Sequence, residues 1–187
     1  MEKAKSILVA LAMILTLSLL PAVAQAACTG AIPTSAKANW LGGLFKKADT
    51  YKIAFYTDTA TYSASTAQYS ATNEVSGTNY SAGGFTLDNP AISVSGTAGI
   101  VDFDDEVNNT ITFTSQSTCA MIYDSTASNS TCSASGTPYA CCTGSTTGTC
   151  ANAAIWIGTF SYIQPSAGTL TVTFPTADGT NAIVQLR

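Results

Sequence analysis

Short apolar runs separated by Gly, Ser, Thr and Asn constrain the fold of this chain more than any other feature. The runs alternate or stay apolar for five to eight residues, and they cover 51–57, 91–95, 110–114, 119–123, 153–160, 169–174 and 182–186. Runs of this length between turn residues are typical of β-strands. We therefore predict a mainly β fold, a single-domain antiparallel β-sandwich or barrel-like structure. The continuous run 119–123 predicts a strand buried on both faces or in a sandwich core.

One short helix is predicted ahead of the strands, over Ser35–Ala48. Ser35 is a suitable N-cap residue. Two apolar pairs have the i,i+4 spacing of one helical face: Trp40/Leu44 and Leu41/Phe45. The adjacent Gly42-Gly43 weakens this helix, since each glycine costs about 1 kcal/mol relative to alanine.

The first 26 residues have the pattern of a secretory signal peptide. Lys3 and Lys5 precede the apolar run Ile7–Leu20, and the small-residue triplet Ala24-Gln25-Ala26 follows it. The apolar run is shorter than the ~20 residues of a membrane-spanning helix, so cleavage is favoured over retention as an anchor. We predict export to the periplasm, cell surface or medium, with residues 27–187 as one β-rich domain and no transmembrane segment after cleavage.

Six cysteines remain in the predicted exported domain: Cys28, Cys119, Cys132, Cys141, Cys142 and Cys150. An even number in an exported chain favours up to three disulfides. Four of them lie in a Gly/Ser/Thr-rich stretch at about 125–152, which we expect to be a loop insertion held by its own bridges. Cys28 and Cys119 are then left to tie the N-terminal region to a strand. A four-cysteine zinc site is the alternative, although the spacings differ from the usual pairs.

Charge and side-chain chemistry narrow the function classes. The chain has 7 basic and 11 acidic residues and no histidine. Nucleic-acid binding requires clustered Lys and Arg, so no nucleic-acid partner is expected. Because the sequence has no histidine, histidine-dependent triads and histidine metal sites are excluded. No lysine or pair of carboxylates has a sequence context that indicates catalysis. We predict a protein that is not an enzyme and needs no cofactor.

One acidic cluster occupies residues 102–106. Its carboxylates Asp102, Asp104 and Asp105 are oxygen ligands of the kind that Ca²⁺ prefers. The cluster lacks the regular spacing and the glycine of an EF-hand loop, so a solvated turn is the favoured interpretation and calcium the alternative.

The segment Thr57–Ser81 is rich in Thr, Ser, Ala and Tyr. An ordered surface connector is the favoured interpretation, and a tyrosine-lined contact surface is the alternative, since tyrosine gives contact area at low entropic cost. The candidate contact residues are Tyr69, Asn73, Glu74 and Tyr80.

Residues 72–84 read Thr-Asn-Glu-Val-Ser-Gly-Thr-Asn-Tyr-Ser-Ala-Gly-Gly. Together with the strand at 51–57, this segment resembles a family of small tailed-phage virion structural proteins, whose members carry T-N-E-V-S-G-T-G-Y-T-A-G-G after a short helix and a strand. Asn79 stands where the family usually has glycine. Weaker matches lie at 87–89, 110–114, 120–124, 154–158 and 168–187, so the resemblance covers most of 33–187.

The resemblance implies a compact β-rich virion subunit that acts by assembly or surface contacts, with itself or other structural subunits as partners. Two features depart from the family: the signal peptide and the cysteine-rich insertion. They favour an exported surface or filament subunit. A secreted module that binds a glycan or another cell-surface ligand is the alternative.

The motif at 72–84 also has a physical interpretation of its own. Asn73, Gly77, Gly83 and Gly84 tolerate positive φ, which tight turns require. Glu74 is predicted to accept backbone N–H groups and to fix the shape of the loop. On this interpretation the loop closes the fold, and recognition is the alternative.

Overall fold

A computed structural model describes residues 28–127, 152–178 and 182–186. The predicted signal peptide and nearly all of the cysteine-rich insertion lie outside these ranges. Four cysteines lie outside them as well: Cys132, Cys141, Cys142 and Cys150. Their predicted bridges stay predictions.

The described residues form one helix and ten strands. They are α1 (Thr34–Leu41), β1 (Tyr51–Tyr56), β2 (Gly77–Thr78), β3 (Phe85–Leu87), β4 (Ala91–Ser95), β5 (Ala98–Asp102), β6 (Glu106–Phe113), β7 (Ser117–Asp124), β8 (Ala153–Ile163), β9 (Gly168–Val172) and β10 (Val184–Leu186). The predicted mainly β class with one short N-terminal helix is confirmed.

The strands pair antiparallel in three sheets, with the orders β3-β1-β7-β8, β10-β5-β4 and β2-β6-β9. The first, four-stranded sheet is central. Its inner strands β1 and β7 are buried along most of their length, and β7 includes the continuous apolar run 119–123, as expected for a strand that faces two layers.

One face of the central sheet packs against the other two sheets. Ile53, Phe55 and Ile122 project from this face into the main core, which Val101 of β5 and Phe113 of β6 also enter. The result is the sandwich-like packing that the alternating strands predict. Burial of each such side chain contributes about 1.5–3 kcal/mol.

The opposite face is covered by an irregular segment of chain. Tyr56, Met121 and Tyr123 project from this face, and Tyr62 and Tyr69 of the connector after β1 pack against them. The predicted burial of 119–123 on both faces is therefore confirmed. The tyrosine-rich connector acts as a structural layer.

The predicted helix is too long by seven residues, and its cap is wrong. The helix ends at Leu41, where Gly42 caps it and Gly43 takes φ 72°, a conformation that suits glycine. Pro33 occupies the N-cap position, and Ser35 lies inside the helix. The expected Leu41/Phe45 pair does not form, because Leu41 is 88% exposed.

Three short strands were not predicted: β2, β3 and β5. β5 follows β4 through the two-residue turn Gly96-Thr97, with Gly96 at φ 59° as a type II′ turn requires. β2 and β3 pair with strands distant in sequence, and β5 pairs with β4 across the turn, so local apolar periodicity alone did not reveal them.

Candidate functional site

Glu74 lies at the centre of a hydrogen-bonded cluster beside β1 of the central sheet, where its backbone forms a β-bridge with Tyr56. Its Oε1 accepts the hydroxyl of Tyr80 at 2.7 Å and the N–H of Gly83 at 2.9 Å, and its Oε2 accepts the hydroxyl of Tyr69 at 2.6 Å. The prediction that Glu74 accepts a backbone N–H and fixes the loop is confirmed. Both ends of the 72–84 motif are thereby joined through one side chain.

The candidate contact tyrosines pack against the fold. Tyr80 is 7% exposed, and its hydroxyl also accepts the N–H of Phe55 at 2.9 Å. Tyr69 is partly buried and stacks on Tyr123, with ring centroids 4.5 Å apart and planes inclined by 18°. Burial raises the pKa of Tyr69, as does its hydrogen bond to Glu74, and burial raises the pKa of Tyr80. Both hydroxyls therefore remain protonated donors at neutral pH.

Asn73 is the exposed member of the contact candidates. It takes φ 60° and donates its side-chain amide to the carbonyl of Thr59 at 3.2 Å. A positive φ is common for asparagine in turns, so its conformation has a structural explanation. A contact role for this loop stays a prediction that rests on Asn73 and its exposed neighbours.

Two motif glycines permit close approach of backbones. A β-carbon at Gly84 would collide with the carbonyl of Ile53 on β1, and Gly84 also has φ 75°. A β-carbon at Gly77 would collide with the carbonyl of Thr112 on β6. These glycines are explained by strand pairing.

The carboxylates of the acidic cluster 102–106 do not converge on a common point. Asp104 accepts the side-chain amide of Asn89, and Asp105 accepts the N–H of Phe174 at 2.8 Å. In the described parts of the chain, no three acidic or cysteine side chains lie close enough together to hold a metal ion. The solvated-turn interpretation accounts for Asp104 and Asp105, and Asp102 ends β5.

The disulfide joins Cys28 to Cys119, with Cα atoms 6.1 Å apart. Cys119 is fully buried on β7. The predicted pairing of Cys28 with Cys119 is therefore confirmed. It attaches the segment before α1 to β7, one of the two inner strands of the central sheet, and Ala31 adds a β-bridge to Ile157 on β8.

Asp124 ends β7 in a fully buried position. Its Oδ1 accepts the N–H groups of Thr126 and Ala127 at 2.9 and 2.7 Å. Burial raises the pKa of Asp124 to about 7, with a further contribution from the Asp49 carboxylate, although the two backbone donors oppose the shift. Burial therefore favours the protonated form of this carboxyl group, and no sequence pattern indicated the shift in its pKa.

An apolar groove of about 490 Å³ opens between the central sheet and β9. Its lining includes the aromatic residues Phe55, Trp156, Phe160 and Phe174. Among the described residues that line it, none is charged, and the hydroxyl groups belong to threonines. The groove is therefore suited to uncharged, apolar groups.

The β4 strand forms an open edge. It pairs only with β5 among the described residues, and four of its five residues are exposed, Val94 by 78% and Ile92 by 42%. The strand reads Ala-Ile-Ser-Val-Ser and carries no charge. Sequence reasoning found the strand but not its edge position, which depends on sheet order.

No protein-family model, curated protein or solved structure matches this chain. Within the residues that the structure describes, no helix is long and apolar enough to cross a membrane.

Proposed function

We propose that this chain is an exported, non-enzymatic structural subunit that acts by assembling with other protein subunits. The observation that carries the proposal is the open, uncharged β4 edge with exposed Ile92 and Val94. An edge strand offers unpaired N–H and C=O groups to another chain, and monomeric β-proteins usually block it with charge, proline, a bulge or a cover. None of these devices occurs within Ala91–Ser95 among the described residues.

The rest of the fold suits a rigid building unit. The central sheet is covered on both faces, and the disulfide fixes the N-terminal segment to it. Disulfides persist in oxidising compartments, which supports the export predicted from the N-terminal segment. The resemblance to virion structural proteins supports the same class of role.

A secreted binding module is the second candidate, and the apolar groove favours it. The aromatic faces of Trp156 and Phe160 favour an apolar ligand or the apolar face of a sugar, as does the absence of charged side chains from the part of the lining that the structure describes. Thermal melting with aliphatic, aromatic and saccharide probes tests this candidate, since a ligand of the folded state raises the melting temperature.

The assembly proposal is tested on the full chain, expressed for export and purified oxidised. Size-exclusion chromatography with light scattering should give a mass above that of the monomer, rising with concentration, and negative-stain images should show regular particles or filaments. A monomer at every concentration, with melting that rises on adding one probe class, would transfer the assignment to a binding module.

A further inference from the structure

The hairpin register determines which backbone groups of β4 face outward. Ser95 pairs with Ala98 across the two-residue turn, so this closing pair exchanges both of its hydrogen bonds within the hairpin. Bonded and non-bonded pairs alternate along an antiparallel ladder. Ser93 and Ala91 therefore also bond to β5, and the N–H and C=O groups of Ile92 and Val94 point to the open side.

From this arrangement we infer that β4 pairs with β4 of a second copy of this chain, antiparallel about a two-fold axis at Ser93. The inference rests on the proposed assembly function and names its partner. Two-fold dimers are the commonest oligomers, and their interfaces are self-complementary. An uncharged strand meets its own copy without like-charge repulsion, which a strand bearing charge would not.

The register follows from the requirement that every outward N–H and C=O group of β4 finds a partner. With Ser93 opposite its counterpart, Ile92 of each copy faces Val94 of the other, and all four outward groups of each strand are used in four hydrogen bonds. An axis at Ile92 would also allow four hydrogen bonds, but it would leave the Val94 C=O of each copy without a donor, because it would lie opposite Pro90, which has no N–H. An axis at Val94 would place Ile92 opposite Gly96, which has left the strand at φ 59°.

The Ser93-centred register also buries the exposed apolar side chains. Residues directly opposite in an antiparallel pair project from the same face. Ile92 and Val94 of both copies therefore form one apolar cluster, on the face that carries Val101, a main-core residue that pairs with Ile92. The two three-stranded sheets become one six-stranded sheet with the order β10-β5-β4-β4-β5-β10.

Two substitutions of Val94 test the edge. Val94→Pro removes an outward N–H from each copy while leaving the β4–β5 bonds intact, so two of four intermolecular bonds are lost. We expect dimerisation to weaken by about tenfold or more. Val94→Lys keeps the N–H of residue 94 but introduces a positive charge into the strand of each copy. Repulsion between these charges should also weaken dimerisation. Val107→Lys, at a 57% exposed position on β6, is the matched control and should assemble like the parent chain.

Cysteine cross-linking tests the register. Opposite residues of a non-bonded pair lie within disulfide reach, so Ser93→Cys should give a covalent dimer. The equally exposed Ala91→Cys is the control, because the two copies of residue 91 would be about 13 Å apart along the strands. Covalent dimer from Ser93→Cys alone supports the inference.

The outcomes separate the inference from the function on which it rests. If the parent chain assembles and both Val94 variants assemble equally well, β4 pairing is wrong while the assembly proposal stands. Equal cross-linking of the two cysteine variants would overturn the Ser93 register. If the parent chain is monomeric at every concentration, both the inference and the assembly proposal fail.

Discussion

Tyr80 donates its hydroxyl to Glu74 at 2.7 Å and accepts the N–H of Phe55 at 2.9 Å. The buried phenol thereby links the 72–84 motif to β1. The most specific sequence segment of the chain is thus explained, through Glu74 and Tyr80, as a fold-closing element. The proposed contact between copies lies at β4, outside the motif.

Glu74→Ala should destabilise the fold by about 2–4 kcal/mol, because the hydroxyls of buried Tyr80 and partly buried Tyr69 and one N–H lose their acceptor. Glu74→Gln should cost less, since one carbonyl oxygen remains. Chemical denaturation measures both. Asp88→Asn removes a charge from an exposed site and serves as the control. Equal stability of Glu74→Ala and Asp88→Asn would contradict the role assigned to this cluster.

Gly84→Ala should destabilise by about 2–4 kcal/mol or prevent folding, because it combines φ 75° with a collision against the Ile53 carbonyl. The matched control is Gly168→Ala, where an added β-carbon meets open space and φ is not positive. Thermal melting compares the two variants. If Gly84→Ala melts within a degree or two of Gly168→Ala, the close approach of β1 and Gly84 is wrong.

Removing the disulfide with Cys28→Ala and Cys119→Ala should cost roughly 2–4 kcal/mol, because the bridge closes a long loop with a sequence separation of 91. Denaturant unfolding measures the loss. Peptide mapping without reduction should recover the fragment containing Cys28 joined to that containing Cys119. Pairing of Cys28 with a cysteine of the 132–150 stretch would refute the bridge.

Stability should fall as pH rises from about 4 to 8. Asp124 has a folded-state pKa near 7 and an ordinary value of 3.8, so the folded state binds more protons in this window. Its stabilisation is complete below pH 4 and is lost as pH rises through 7. The Asp49 carboxylate and the Tyr51 hydroxyl are the titratable groups that interact with it.

Asp124→Asn separates this effect from other titrations. The amide keeps the Oδ1 acceptor for the N–H groups of Thr126 and Ala127 and removes the buried charge. We expect a flatter stability–pH profile and a gain of roughly 1–4 kcal/mol at pH 8, since one pKa unit corresponds to about 1.4 kcal/mol. A profile parallel to that of the parent chain would show that Asp124 does not titrate in this window.

The features that could be predicted from the sequence are those that depend on the spacing of residues close together in the chain. Alternation located β1, β4 and β9, and the clustering of four cysteines left Cys28 to pair with Cys119. The end of α1 was missed because Leu44 and Phe45 keep helical spacing with Trp40 and Leu41, although Gly43 turns the backbone before them. A prediction from the spacing of apolar residues does not take into account that a glycine readily adopts positive φ and can end the helix.

The site features that were missed depend on contacts between distant residues. Tyr69 is buried by Tyr123, and Asp124 is affected by Asp49. Neither partner lies near in sequence, so composition predicted a surface connector and gave no sign of a perturbed carboxyl group. The exposure of Val94 likewise follows from the position of β4 at the end of its sheet.

Amide hydrogen exchange at β4, followed as a function of protein concentration, tests the assembly account most directly. The N–H groups of Ile92 and Val94 face outward in the isolated chain, whereas that of Ser93 bonds to β5. The account predicts that exchange at residues 92 and 94 slows as concentration rises, while exchange at residue 93 is slow throughout. Rapid exchange at 92 and 94 in samples that light scattering shows to be assembled would contradict pairing through β4.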